Sequence, residues 1–223
     1  YYAERIAKGG TTTNPKFSFE KTGPCTGVFD GDNAQGHVVA TLAMNEAIAM
    51  AKENGAAVIG IKRLGHSGDL SYYVRMASKE NLIGISLCQS DPMVVPFGGT
   101  ERYYGTNPIG FSFPGEEESI TFDMGTTVGV WGRILHARSK NEPIPEGWAV
   151  DAKGEETTDP FKVNALLPIA GAKGYGLGMA IDILSGILVG VPSGGHVSSL
   201  YPALSAGRGL GQLPIVIAPS RFR

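Results

Sequence analysis

Two short apolar runs constrain this chain more than any other feature. Ala56 to Ile61 and Leu82 to Cys88 are compact and rich in β-branched residues, and each ends in a polar loop. Apolar runs of this length bounded by turn residues read as buried strands. A helical pattern precedes the first, from about Gly36 to Asn54, with Val39, Leu42, Ala43, Ala47 and Met50 as its stripe and Asn54-Gly55 as its stop. A second helical stretch, from about Leu70 to Glu80, separates the two runs. Helix, strand, helix, strand is α/β organisation. Loops at strand ends are the usual ligand address in such sheets.

The remaining elements are weaker. Tyr1 to Lys8 reads as the end of a helix stopped by Gly9-Gly10. Residues Thr11 to Gly36 are turn-rich, with a short strand around Thr26 to Phe29. Pro92 to Pro114 reads as loop, Ile120 to Asp123 as a strand, Thr126 to Ala137 as a glycine-weakened helix, and Trp148 to Asp159 as a hairpin turning at Lys153-Gly154. Lys173 to Val189 reads as a long buried helix, and Leu213 to Ala218 as a last strand. The 32 glycines among 223 residues are about twice the usual ~7% share, and they cluster at predicted turns. No linker divides the chain.

Net charge is −2, which argues against nucleic acid as a partner. No stretch approaches a membrane span. Cys25 and Cys88 form neither a disulfide scaffold nor a zinc site, so a reducing compartment, the cytoplasm, is expected. No two histidines stand at ligand spacing with a carboxylate, and a metal site is not expected.

His66 stands out. It follows the first buried strand in Gly65-His66-Ser67-Gly68, and an imidazole with an ordinary pKa of about 6.5 can serve as acid or base near neutrality. The plainer reading is a loop histidine bonded to backbone. Ser67 does not fit the G-x-S-x-G nucleophile elbow. Ser90-Asp91 follows the second strand, where it could orient a ligand or the histidine, or simply cap a turn. Lys173, in Gly171-Ala172-Lys173-Gly174-Tyr175-Gly176, opens a helix and suits an anion; the alternative is a solvated lysine. The nearest approach to a dinucleotide fingerprint, Gly207-Arg208-Gly209-Leu210-Gly211, has no strand immediately before it.

With these pieces the sequence resembles the malate/lactate/sulfolactate-type dehydrogenases that lack a Rossmann fold. The resemblance is carried by Gly65-His66-Ser67-Gly68, Cys88 to Gly99, Tyr103 to Pro108, Thr121-Phe122-Asp123-Met124, Thr157-Thr158-Asp159-Pro160 and Lys173 to Leu177. The Cys88 to Gly99 run points to one branch of that family. The resemblance implies a non-Rossmann NAD(P)-binding α/β fold, a mixed sheet with flanking helices, and oxidation of a small 2-hydroxy acid with NAD, NADP being possible. It implies His66 as the general acid/base and Asp91 as the partner that orients it. Ser90, Asp123, Met124, Gly125 and Lys173 match cofactor-binding positions, and Tyr2 a substrate contact. A homo-oligomer of two or more copies is implied too, and the glycine-rich, apolar last third suits a buried surface. Both ends read as cuts, so residues 1–223 are expected to be the central cofactor-binding and catalytic region of a longer dehydrogenase. The family's Ser-His-Gly stretch and arginine before the tyrosine pair are not in this sequence, which leaves a non-catalytic paralogue as the rival expectation.

Overall fold

The computed structural model describes residues 2–199 and 204–222, so Tyr1 of the expected first helix lies outside the described residues. Five helices and nine strands follow in chain order: α1 (Tyr2–Ala7), β1 (Ser18–Lys21), β2 (Thr26–Ala34), α2 (Gly36–Asn54), β3 (Ala56–Leu64), α3 (Ser71–Ser78), β4 (Ile83–Cys88), β5 (Ile109–Phe113), β6 (Ile120–Met124), α4 (Trp131–Lys140), β7 (Ala149–Val150), β8 (Ala165–Leu166), α5 (Ala172–Asp182) and β9 (Leu210–Ile217). Seven strands form one sheet in the order β1-β2-β3-β9-β4-β5-β6, and β7 pairs with β8 apart from it. Among the described strands only β2 and β3 pair in parallel, and every other strand–strand pairing is antiparallel. One β–α–β crossover is therefore present where a dinucleotide-binding Rossmann sheet needs several.

The alternation along the strands explains why their sequences look uniformly apolar. Ala57, Ile59 and Ile61 of β3 and Val216 of β9 pack with the α2 stripe, Val39, Ala43, Ala47 and Met50. Val58 and Ile215 point the other way and join Leu87, Ile181 and Leu213. Both faces are covered, so alternate positions are equally apolar. Leu42, placed in the stripe by periodicity, is an exposed edge of α2. Gly55 ends that helix with φ 91°, a left-handed conformation natural to glycine.

Three strands escape the periodicity reading, β1, β5 and the two-residue β8. β1 is a polar outer strand, as edge strands tend to be. β5 lies inside the stretch read as loop. Its Ile109, Phe111 and Phe113 alternate, but the intervening Gly110 and Ser112 are small, and Gly110 lies tight under Leu70. The Lys153-Gly154 turn forms, with Asp151 accepting from the backbone N–H groups of Lys153 and Glu155 at 2.8 and 3.1 Å. Beyond one bridge from Val150 to Glu156, however, β7 takes β8 as its partner.

The helix read as long and buried is the main correction. α5 passes into a π-helical turn, Ile183–Ile187. Gly174, Gly178, Ile181, Asp182, Ser185 and Gly186 are its buried residues, whereas Leu177, Met179, Ile183, Leu184, Ile187 and Leu188 are exposed. Glycine lets the helix backbone approach the loops that follow β4 and β6. A Cβ on Gly178 would lie 3.0 Å from the Thr126 hydroxyl, and one on Gly186 2.7 Å from Gln89 Oε1. The glycines face inward, so the large apolar side chains face outward.

Candidate active site

β3 changes register against both neighbours between Ile61 and Leu64, beside Arg63, whose φ is 54°. Bulges of this kind re-aim the residues that follow. Here they turn Gly65-His66 into a cleft at the end of the sheet. Tyr73 donates its hydroxyl to the Ser67 carbonyl at 2.5 Å and holds the loop from below. Gly36 holds it from the side. A Cβ there would press on the Gly65 carbonyl and lie 2.6 Å from the His66 oxygen. Gly36→Ala is therefore expected to displace the His66 loop, costing about 1–3 kcal/mol by overpacking and lowering turnover with it; thermal melting and kcat measured together check this.

The cavity at this point has a volume of about 610 Å³, within the ~300–1,000 Å³ typical of small-molecule sites. Tyr2, His66, Ser90, Asp91, Asp123, Gly125 and Arg208 all line it. Apolar cover comes from Leu70, Met93, Val130, Trp131 and Leu210. The far wall thus belongs to α4, whose own small core packs Ile134 with Leu166 and the two tryptophans. Met124 and Lys173 are not among the lining residues. Lys173 is exposed on the first turn of α5, and nearby Gly171 borders a separate cavity of about 480 Å³.

Tyr2 Oη lies 2.6 Å from His66 Nδ1. With Nδ1 carrying the proton and donating it to the Tyr2 oxygen, the free lone pair is on Nε2, the state a base needs. Burial above all, then the nearby His37 and Arg208, hold the His66 imidazolium below the ordinary histidine range, while Asp91 pulls the other way. The His37 ring centroid is 6.4 Å from that of His66.

Asp91 differs from expectation. Its carboxylate receives Arg208 Nη2 at 2.9 Å and the Ser199 hydroxyl at 3.3 Å. The hydrogen bond on the histidine ring belongs to Tyr2, and Asp91 acts on the ring through its field. A carboxylate beside a buried guanidinium is drawn to it by both charge and geometry. Asp123 is likewise partly engaged, one oxygen accepting the Ser71 N–H at 2.8 Å at the start of α3. Ser90 is fixed by its surroundings: its hydroxyl accepts the Thr106 N–H at 2.8 Å, and its own N–H donates to Asn107 Oδ1 at 3.0 Å. Asn107 is fully buried and also donates to the Gly178 carbonyl at 2.8 Å. It ties the Ser90 loop to α5.

Arg208 is the residue the sequence reading missed. It is 4% exposed, and its Nε and Nη1 have no hydrogen-bond partner among the described residues. The guanidinium uses one corner of its donor fork on Asp91, its other two nitrogens are enclosed, and the residue lines the cavity. The cysteine in the same wall, Cys88, is inert: burial pushes its thiol up to about 12. No group of three or more metal-ligating side chains occurs among the described residues. Nor is any described helix long and apolar enough to cross a membrane.

A mostly antiparallel sheet with one crossover, and a histidine and a buried arginine lining one cleft, define an α/β protein with a non-Rossmann sheet and a candidate small-molecule site. All of residues 1–223 match the malate/L-lactate dehydrogenase family, and the chain belongs to it. It is 60% identical over 223 residues to ureidoglycolate dehydrogenase (NAD(+)) of Escherichia coli O157:H7, covering 100% of this chain and 64% of that protein. Among solved structures, sulfolactate dehydrogenase from Methanocaldococcus jannaschii superposes with a TM-score of 0.90 at 38% identity, covering 99% of this chain and 64% of that one. A dehydrogenase from Sinorhizobium meliloti gives 0.93 at 34% identity, covering 99% and 65%. The chain thus spans a little under two thirds of the length of these relatives. The fold agrees with the non-Rossmann α/β expectation.

Proposed function

We propose that this protein oxidises a small 2-hydroxy acid with NAD, that the acid is (S)-ureidoglycolate and the product oxalurate, and that His66 is the general base. The observation that carries the reading is the convergence of His66 and the half-paired Arg208 on one cavity. The 60% identical relative named for that substrate and cofactor supports the particular choice.

The residues present fit the reacting end of a nicotinamide cofactor. Leu70, Met93, Val130 and Leu210 give apolar cover for a flat ring, and Ser90, Thr106 and Asp123 supply polar edges. Gly125 leaves the wall thin; an added Cβ would come 3.3 Å from the Thr106 carbonyl oxygen. Lys173 and Met124, outside this cavity, are proposed for the rest of the dinucleotide.

NAD, when bound, supplies the hydride acceptor. His66 Nε2 takes the hydroxyl proton as the carbinol hydrogen leaves with its electron pair. Tyr2 then accepts from Nδ1–H and steadies the imidazolium. Arg208, at the cavity wall, is the cation for the substrate carboxylate, a charge-assisted pairing that fixes the acid.

The histidine's lowered pKa sets the sign of the pH dependence. Oxidation needs neutral imidazole, so kcat/KM rises as pH climbs through a midpoint below the ordinary ~6.5 and then levels. Reduction needs the imidazolium and falls across the same window. Profiles in both directions check this, and an oxidation limb centred above the ordinary histidine value contradicts it. A panel of ureidoglycolate, malate, lactate and sulfolactate, each with NAD and NADP, tests the substrate and cofactor. Ureidoglycolate with NAD is expected to give the highest kcat/KM.

The same reading includes a homo-oligomer. The outward side chains of α5 and its π-turn form an apolar face that a second copy would cover. Leu184→Glu on this face is expected to shift the sedimenting species toward monomer; an unchanged assembly places the interface elsewhere.

A further inference from the structure

Helix α1 touches both arms of the site. Tyr2, near its start, bonds His66. Arg5, one turn on, is 2% exposed and turns inward. Its Nη2 donates to the Ala206 carbonyl at 2.5 Å and to the Gly10 carbonyl at 3.2 Å. Ala206 lies two residues before Arg208. Gly10 seats on the same segment: a Cβ there would press into the Leu204 carbonyl and lie 3.1 Å from the Ala206 oxygen. From the other side, Asn33 Oδ1 accepts the Gly209 N–H at 3.0 Å. The backbone around Arg208 is thus gripped before and after the residue, and Arg5 supplies a buried, charged grip on the earlier side.

We propose that Arg5 is a positioning residue for the reaction: it fixes the 204–208 segment so that Arg208 stays at the cavity wall as the cation for the substrate carboxylate. This rests on the hydroxy-acid reading above. It requires that the loss of Arg5 be felt through Arg208. A charge used only for folding would weaken every property of the site alike. A charge used for placement affects the acid and spares the base and the cofactor.

The test is a double-mutant cycle in the full-length protein, with Arg5→Ala, Arg208→Ala and both together, and Arg5→Lys as a gentler variant should alanine fail to fold. Steady-state oxidation is read alongside calorimetric binding of oxamate, a non-reacting carboxylate, in the presence of NADH. Arg5→Ala is expected to raise KM for the acid and the oxamate Kd about tenfold or more, a difference of one typical charge-assisted contact. KM for NAD and the acid limb of the pH profile should stay in place, and Arg5→Lys should recover part of the loss. In the Arg208→Ala background the further effect of Arg5→Ala should vanish. Additive losses, or a fall in kcat and cofactor affinity together with melting temperature, overturn the proposal. Oxamate keeps the two claims apart: if no hydroxy acid is oxidised, the functional reading fails, while non-additive oxamate binding still supports the role of Arg5.

Discussion

His66→Ala is expected to reduce kcat/KM for hydroxy-acid oxidation by about 10²- to 10⁴-fold, the range a positioned general base contributes. Burial and the neighbouring His37 and Arg208 disfavour the charged form of His66, as the proposed base requires. Its nearest alternatives are already engaged. Asp91 holds Arg208, and Asp123 holds the first turn of α3. Tyr2 would lose its ring partner but keep its place on α1. The apolar wall and Arg208 remain, so cofactor binding, followed by fluorescence, should change little. A variant that keeps turnover within tenfold of the parent would remove His66 from the chemistry.

Asp91→Ala is expected to cost about 3–5 kcal/mol of stability, the usual consequence of leaving one half of a buried ion pair alone. The guanidinium of Arg208 already has two nitrogens without a partner among the described residues, and its third rests on Asp91 at 2.9 Å with both side chains nearly inaccessible to solvent. Removing the carboxylate leaves the whole charge in a dry cleft. For a chain of this size the melting temperature should drop on the order of 10 °C. Replacing both residues by leucine should recover most of that stability while abolishing activity. The pair would then be shown to serve the site rather than the fold. A single variant that melts like the parent would mean that water solvates the guanidinium in the cleft.

Much of this was readable in the amino-acid order, and the reasons differ from residue to residue. α2 carries its boundaries in local chemistry, with Asn54-Gly55 as its stop. His66 was legible as a candidate because it is a glycine-flanked imidazole at the end of an apolar run, although the same spacing suits a loop histidine bonded to backbone. Ser90 and Asp91 were located by the same strand-end logic. Arg208 was not, because its neighbours Gly207 and Gly209 look like loop, and its burial depends on a carboxylate 117 residues away. The direct partner of His66 was misjudged for a similar reason, since Tyr2 is 64 residues from it. The orientation of α5 failed on a different ground: hydropathy assigns leucines to the interior, yet where two backbones must touch, the inside goes to glycine. A signal was available in the spacing of Gly174, Gly178 and Gly186, which lie on one face at intervals of four and eight.

The position of β9 carries a consequence for how the molecule is born. This strand follows every other described strand in sequence, yet it lies between β3 and β4 at the middle of the sheet. Until the ribosome has released it, β3 and β4 each present a naked edge with nothing to zip onto, and the two halves of the nascent sheet have no common seam. Such non-local closure is slow and leaves sticky intermediates exposed. Folding during synthesis therefore waits for its keystone. A nascent chain that stalls before residue 210 leaves both edges open to chaperones and proteases.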